Sequence, residues 1–135
     1  MPFTAAELAY LATQRLGRLA TAQPDGTLQV SPVGFRYNDD LATIDIGGWK
    51  MSASRKYRNI ADNGRVAFVV DDVPSVDPWR VRCLEIRGVA EAIRPPGGDA
   101  IIRIHPRRII SFGLDAADAD TSAHELVPNR RDVPA

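Results

Sequence analysis

The stretch SASRKYRNIADNGRVAFVV, residues 52–70, joins a short polar helix with adjacent cations directly to an apolar strand. Ser52 can cap this helix, which leaves free backbone N–H groups and the positive end of the helix dipole beside the Ser54 hydroxyl. Arg55 and Lys56 place positive charge where cations are mildly unfavourable unless an anion offsets them. The pattern therefore predicts a phosphate site, although a solvated helix start is the simpler alternative.

Helical spacing separates the side chains of this short helix into two faces. One face carries the apolar side chains of Ala53, Tyr57 and Ile60. Lys56 lies at the margin of that face, and Arg58 points away from it. We therefore expect Lys56 to stay near the protein body and Arg58 to be solvated.

The rest of the chain reads as short strands joined by turns, after one amphipathic helix at the start. The helix begins at Thr4, which has capping-box spacing to Glu7, and its apolar face is expected to comprise Leu8, Leu11, Ala12 and Leu16. The strand-like runs are residues 18–22, 27–37, 42–46, 65–70, 79–93 and 101–114. Residues 65–70 are β-branched and uninterrupted, which predicts a core strand buried on both faces.

These elements predict a mainly β fold, a six-stranded antiparallel barrel with short helices, and a two-layer α+β sandwich is the nearest alternative. Residues 71–78 are expected to form a loop because they are rich in Asp and Pro. With 135 residues the chain fits one domain, 1–135, in which residues 115–135 are a flexible tail by composition. A core this small leaves apolar surface for a homodimer contact.

Composition excludes several function classes. The formal net charge is zero, so we expect no general attraction to nucleic acid or to an anionic membrane. Cys83 is the only cysteine, which excludes an internal disulfide and a CxxC pair. His105 and His124 lack the spacing and partners of a metal site. We find no export signal or membrane-spanning run of residues and expect a cytoplasmic protein.

Pro32 lies inside the second strand-like run, where it cannot donate a hydrogen bond to a neighbouring strand. The strand must therefore be interrupted, bulged or at a sheet edge at this point. In each case backbone groups of Pro32, Val33 and Gly34 are free to contact a ligand, for example the edge of a flat ring.

The order and spacing of several motifs resemble the pyridoxamine 5'-phosphate oxidase superfamily, the split β-barrel flavin proteins. The residues that carry the resemblance are Ser54-Arg55-Lys56, Ile60, Asn63, Arg65-Val66 and the apolar strand after them. A closer similarity is to the actinobacterial subgroup that uses the deazaflavin coenzyme F420. It rests on Lys56, Pro32 to Phe35, Asp77 to Val81 and Arg103 to Arg107.

The resemblance implies a homodimer with the cofactor in the groove between subunits. It implies an oxidoreductase that transfers hydride from reduced coenzyme F420 to a small organic acceptor. An FMN-dependent reductase and a protein that binds F420 or flavin without turnover are the alternatives. Residues 30–35 lack the cations that assist FMN phosphate binding in pyridoxamine oxidases, and residues 115–135 lack their Arg-x-His segment, so vitamin B6 oxidation is not expected.

The expected cofactor-binding residues are Ser54, Arg55, Lys56, Pro32, Val33, Gly34, Ile46 and Trp79. Trp79 can wall a tricyclic ring by stacking, although ordinary packing in the barrel is the commoner use of such a residue. Arg103, His105 and Arg107 either clamp a polyanionic cofactor tail or form a solvated strand face. No catalytic acid or base can be named from the sequence, because hydride transfer needs orientation more than proton transfer.

Overall fold

Antiparallel strands dominate the computed structural model, which describes residues 1–135 apart from the side chain of residue 120. In this described chain the helices are α1 (Ala5–Thr13), α2 (Arg55–Asn63) and two 3-10 helices (Met51–Ala53 and Ala116–Asp120). The strands are β1 (Leu16–Ala22), β2 (Leu28–Gly34), β3 (Arg36–Asn38), β4 (Thr43–Ile46), β5 (Arg65–Val76), β6 (Trp79–Ile93), β7 (Ile101–Phe112) and β8 (Asn129–Asp132). None of the described helices has the length and apolar character needed to cross a membrane.

The strands form one curled sheet in the order β2-β1-β5-β6-β7-β4-β3, with β8 added beside β7. Only Phe35 separates β2 from β3, although these strands pair with β1 and β4 at opposite ends of the order. One bent strand therefore links both ends of the sheet and gives a split barrel. This confirms the predicted fold class, but the chain bends at Phe35, not at Pro32.

The described strands number eight and not six, for two reasons. The bend divides the second predicted strand into β2 and β3. The C-terminal region adds β8, which pairs with residues 108–111 of β7. The prediction of a flexible tail is therefore wrong for residues 129–132.

The core lies inside the curled sheet and consists of alternate residues of each strand. On β5, Val66, Phe68 and Val70 are buried, whereas Ala67 and Val69 on the opposite face are half-buried. The prediction that this strand is buried on both faces is wrong, because a barrel strand has one face inside and one outside.

β5 and β6 form a long hairpin that replaces the loop predicted at residues 71–78. Val76 is paired with Trp79, so only Asp77 and Pro78 form the turn. The remaining proline, Pro74, lies at a register shift between Asp72 and Ser75. A proline at an irregularity removes no regular ladder hydrogen bond, which explains why the composition was misleading.

α1 has the predicted capping box: the Thr4 hydroxyl accepts from the Glu7 N–H, and the Glu7 carboxylate accepts from the Thr4 N–H. The predicted apolar face is only partly correct. The helix ends at Thr13, so Leu16 belongs to β1 and is exposed, as is Ala12. The buried residues of α1 are Glu7, Tyr10 and Leu11.

Glu7 is 1% exposed and is held by a network that joins both ends of the chain. The Ser111 hydroxyl donates to its carboxylate over 2.6 Å, and the Arg131 guanidinium of β8 donates to both carboxylate oxygens. Burial raises the pKa of Glu7, but the hydrogen bonds from Arg131 and Ser111 more than offset this and hold the pKa below its ordinary value. The network attaches β8 to α1.

Replacing Arg131 with alanine would leave a buried carboxylate without its cation, so we expect the free energy of unfolding at neutral pH to fall by about 3 kcal/mol. Because the folded-state pKa of Glu7 is depressed, the pair stabilises the fold above about pH 4.3, and this contribution is lost as the pH falls through the folded pKa. Urea unfolding of the wild type and Arg131→Ala at neutral pH and at about pH 3 measures the effect, and the difference should shrink in acid.

The matched control is Arg130→Ala, because Arg130 is an exposed neighbour on β8 without an ion pair among the described residues. Equal losses of stability in the two variants would contradict the assignment.

Candidate functional site

Two asparagines attach α2 to the end of β1. The amide of Asn59, which is 1% exposed, donates to the Thr21 hydroxyl over 3.0 Å and to the Gln29 carbonyl of β2 over 3.4 Å. The amide of Asn63 donates to the Ala22 carbonyl over 2.7 Å. These bonds position the helix against β1 and β2. The sequence analysis missed this role, although the spacing of the two asparagines puts them on one helical face.

The helix begins at Ser54, and the prediction that Ser52 caps it is wrong. Ser52 belongs to the 3-10 helix Met51–Ala53, which ends at an extended Ser54. The Ser54 hydroxyl accepts from the Tyr57 N–H over 3.3 Å and donates to the Met51 carbonyl over 2.6 Å. Its only proton is therefore engaged, and its role in this structure is to start the helix.

The first turn of α2 has two backbone donors to offer. The Tyr57 N–H is bound by the cap, and the Arg58 N–H donates to the Ser54 carbonyl. The N–H groups of Arg55 and Lys56 remain without an acceptor among the described residues. They lie at the positive end of the helix dipole, which is suited to an anion.

The side chains of this turn add positive charge that no acid of the described chain neutralises. Lys56 is half-buried and Arg58 is exposed, as the sequence predicted. Arg55 is exposed, and neither Arg55 nor Lys56 forms an ion pair among the described residues. Lys50 and Arg58 are nearby in the sequence, and residues 46–61 contain no acidic residue. In a chain of zero net charge, this is a concentrated positive region. The donor set suits a phosphate group.

The other residues predicted to contact a cofactor differ in how far their side chains are exposed. β2 ends the strand order, which confirms the edge alternative for Pro32. Pro32 and Gly34 are exposed, whereas the side chains of Val33 and Ile46 belong to the core. Val33 and Ile46 can therefore contact a ligand only through their backbone.

Trp79 lies far from Lys56 within one protomer. It is 53% exposed at the tip of the β5–β6 hairpin, whereas α2 ends next to Ala90 at the other end of β6. The eleven residue steps of β6 from Trp79 to Ala90 extend about 36 Å at the usual rise of a strand, which is more than the nine-residue helix α2 can span back toward Trp79. The structure therefore does not bring Trp79 to the phosphate residues of its own chain.

Three of the four basic residues of β7 are paired with acids, and Arg107 donates instead to the Pro106 carbonyl. Arg103 donates to Asp45 through two nitrogens, both over 3.1 Å. His105 lies 2.7 Å from Glu91, and Arg108 donates to Asp132. Simple alternation predicts Arg108 on the face opposite to Arg103 and His105. The register of β7 shifts at residue 107, and Arg108 therefore lies on the outer face with them, so that prediction is wrong. The pairing favours a structural role over a polyanion clamp.

A cavity of about 370 Å³ lies between the β5–β6 hairpin and the segment after β7. Arg80 closes one side of it by donating to the carbonyls of Asp118 and Thr121. The sequence analysis missed this cavity, because it depends on how residues 113–126 fold back onto the hairpin.

Comparison with known proteins agrees with this fold. Residues 3–124 match the pyridoxamine 5'-phosphate oxidase family. The chain belongs to this family. It is also similar to a reductase of 5a,11a-dehydrotetracycline and 5a,11a-dehydrooxytetracycline from Streptomyces rimosus, with 47% identity over 131 residues that cover 92% of each chain.

Solved structures of lower identity share the fold. A conserved hypothetical protein from Mycobacterium tuberculosis has a TM-score of 0.64 and 23% identity, covering 79% of this chain and 82% of the other. An FAD binding protein from Mycobacterium smegmatis has a TM-score of 0.60 and 23% identity, covering 79% of this chain and 91% of the other. At this level of identity the likeness supports the fold alone.

The position of the helix cap can be tested by a pair of serine variants. Ser54→Ala removes the oxygen that binds the Tyr57 N–H, so we expect it to lower the free energy of unfolding by about 1 kcal/mol. Ser52→Ala should change it by less than about 0.5 kcal/mol, because Ser52 does not cap α2. Thermal unfolding followed by circular dichroism measures both changes. A larger loss for Ser52→Ala would contradict the assignment.

Proposed function

We propose that this protein is a cytoplasmic reductase that uses coenzyme F420. The observation that carries the proposal is the first turn of α2, where two free backbone N–H groups lie beside Arg55 and Lys56, which form no ion pair among the described residues. The 47% identical reductase supports the reaction class. When bound, the reduced cofactor supplies a hydride to the acceptor.

The residues of this chain would bind and orient the cofactor. Arg55 and Lys56 would hold the phosphate through their backbone N–H groups and side chains. The exposed edge of β2 at Pro32 and Gly34 would contact the ring of the cofactor through backbone groups. Val33 and Ile46 would contact the cofactor through their backbone alone. We assign no catalytic acid or base. The acceptor we propose is a ring compound with a reducible carbon–carbon double bond, by analogy with the substrates of the Streptomyces reductase.

FMN is the alternative cofactor of the same site. β2 carries no cation between Val30 and Gly34, and Arg36, just beyond it on β3, is directed to Asp45 at 3.4 Å. Because β2 offers no free cation, it contributes less to binding the phosphate of FMN, and this favours F420 as the cofactor. Parallel fluorescence titrations with F420 and FMN decide between them, and exclusive FMN binding would overturn the F420 assignment.

A protein that binds F420 without turnover is the non-catalytic alternative. It would bind the reduced cofactor but show no reoxidation with any acceptor. A panel of enones and quinones that includes 5a,11a-dehydrotetracycline tests this, with cofactor oxidation measured by absorbance. Reoxidation that depends on an added acceptor supports a reductase.

Replacing Lys56 with alanine should weaken cofactor binding by about ten- to a hundredfold, because a charge-assisted hydrogen bond to phosphate is lost. The fold should remain stable, since Lys56 is only half-buried. Fluorescence titration measures the dissociation constant. Arg65→Ala is the control, because Arg65 is exposed just beyond the other end of α2 and should not affect binding. Unchanged affinity in Lys56→Ala would exclude this phosphate site.

A homodimer is the second part of the proposal. The outer face of β2, β1 and β5 carries an apolar patch beside the Arg18–Asp71 ion pair: Leu28 is 77% and Val30 66% exposed, and Ala20, Ala67 and Val69 are half-buried around them. We propose that a second copy of the chain covers this face. A role of Trp79 in cofactor binding requires such a dimer, because Trp79 is remote from the phosphate residues of its own chain.

Val30→Asp should convert the dimer to a monomer, because it puts a charge at the centre of the apolar face. Leu41→Asp is the matched control, since Leu41 is 52% exposed in the turn before β4. Sedimentation velocity reports the mass of each variant in solution. A monomeric wild type, or a Val30→Asp variant that remains dimeric, would exclude this interface.

A further inference from the structure

Ser31 has a buried hydroxyl oxygen without a hydrogen-bond partner among the described residues. It lies on β2, where it faces Leu19 of β1 in the ladder. Polar side chains close to it in the fold are paired, since Thr21 and Gln29 both accept from the Asn59 amide. A buried hydroxyl without a partner destabilises a fold. The orphaned oxygen therefore indicates a partner that the protein chain itself does not provide.

Ser31 lies on the face of β2 that contacts helix α2. Side chains alternate along a strand, so Ser31 lies on the same face of β2 as Gln29. Gln29 is in contact with Asn59 of α2. Lys56 precedes Asn59 by one turn on the same side of that helix. Ser31 and Lys56 thus flank one junction between β2 and α2.

We propose that Ser31 is a second anchor for the cofactor phosphate and donates its hydroxyl proton to a phosphate oxygen held at Arg55 and Lys56. This inference rests on the proposed function, because the phosphate belongs to the cofactor. Ser31 as a residue is only half-buried, so rotation about χ1 moves its hydroxyl from the interior toward the ligand. A hydroxyl that donates to an anionic oxygen forms a strong hydrogen bond.

The sequence of β2 explains why a serine would be the group that binds the phosphate on this strand. The strand carries no cation between Val30 and Gly34, so a neutral donor is what it can offer to an anion. Pro32, the next residue, has no backbone N–H to offer. The Ser31 side chain is then the phosphate donor of β2, while the charge is supplied by Arg55 and Lys56 of α2.

The experiment compares ligands with and without the phosphate: FMN and riboflavin differ in the phosphate alone, whereas the deazaflavin riboside lacks both the phosphate of F420 and the tail attached to it. The dissociation constants of FMN and riboflavin, and of F420 and the deazaflavin riboside without phosphate, are measured for the wild type, Ser31→Ala and Ser31→Thr. Ser31→Ala should weaken binding of the phosphorylated cofactor about tenfold and leave the phosphate-free ligand unchanged. Ser31→Thr keeps the hydroxyl and should restore most of the affinity.

The melting temperature of the free protein separates binding from structure. Ser31→Ala removes an unpaired hydroxyl, so the free variant should melt at the same temperature as the wild type or higher. Thr21→Val is the control, because it removes a paired hydroxyl and should lower the melting temperature. A lower melting temperature for Ser31→Ala, or equal affinity for the phosphorylated ligand, would overturn this inference alone. A wild type that binds neither phosphorylated cofactor would overturn the proposed function with it.

Discussion

The attachment of α2 to β1 is the constraint on which the candidate site depends. The buried amide of Asn59 and the amide of Asn63 fix the helix at Thr21, Gln29 and the Ala22 carbonyl. A left-handed Gly64 then ends the helix, and its carbonyl binds the Ala90 N–H of β6. The leading N–H groups of the first turn have no carbonyl one turn before them, as at the start of any α-helix. The bonds of the C-terminal half hold these free donors in a fixed position relative to β1 and β2.

The positively charged side chains of the first turn of α2 add to the free backbone N–H groups as a binding site for an anion. Elsewhere in the described chain, Arg82, Arg103, Arg108 and Arg131 each contact a carboxylate. Arg55 and Lys56 form no such pair among these residues. Two cations at the positive end of a helix repel each other and the dipole, so their arrangement is unfavourable until an anion binds. This cost is small for each cation, and the negative charge of a bound phosphate group would offset it.

The sequence was sufficient for the fold where local rules decide the outcome. Strand β6 begins and ends as predicted at Trp79 and Ile93, and the Thr4 capping box is present.

Prediction failed where contacts between distant parts of the chain decide the local structure. Residues 71–78 looked like a loop because Pro74 breaks a regular ladder, yet a register shift accommodates it. The tail has few apolar residues. Arg131 is nevertheless ordered by its bond to the buried Glu7 carboxylate on α1, a contact between the two ends of the chain that gives no local sequence signal. The cap moved from Ser52 to Ser54 because a 3-10 turn precedes the helix.

A crystal structure of the protein with F420 would show whether the first turn of α2 holds the phosphate of a bound cofactor. We expect phosphate density within hydrogen-bond distance of the Arg55 and Lys56 N–H groups, with the Lys56 ammonium in contact. Well-defined cofactor density with its phosphate at any other position, for example in the cavity beside Arg80, would exclude the phosphate site on α2.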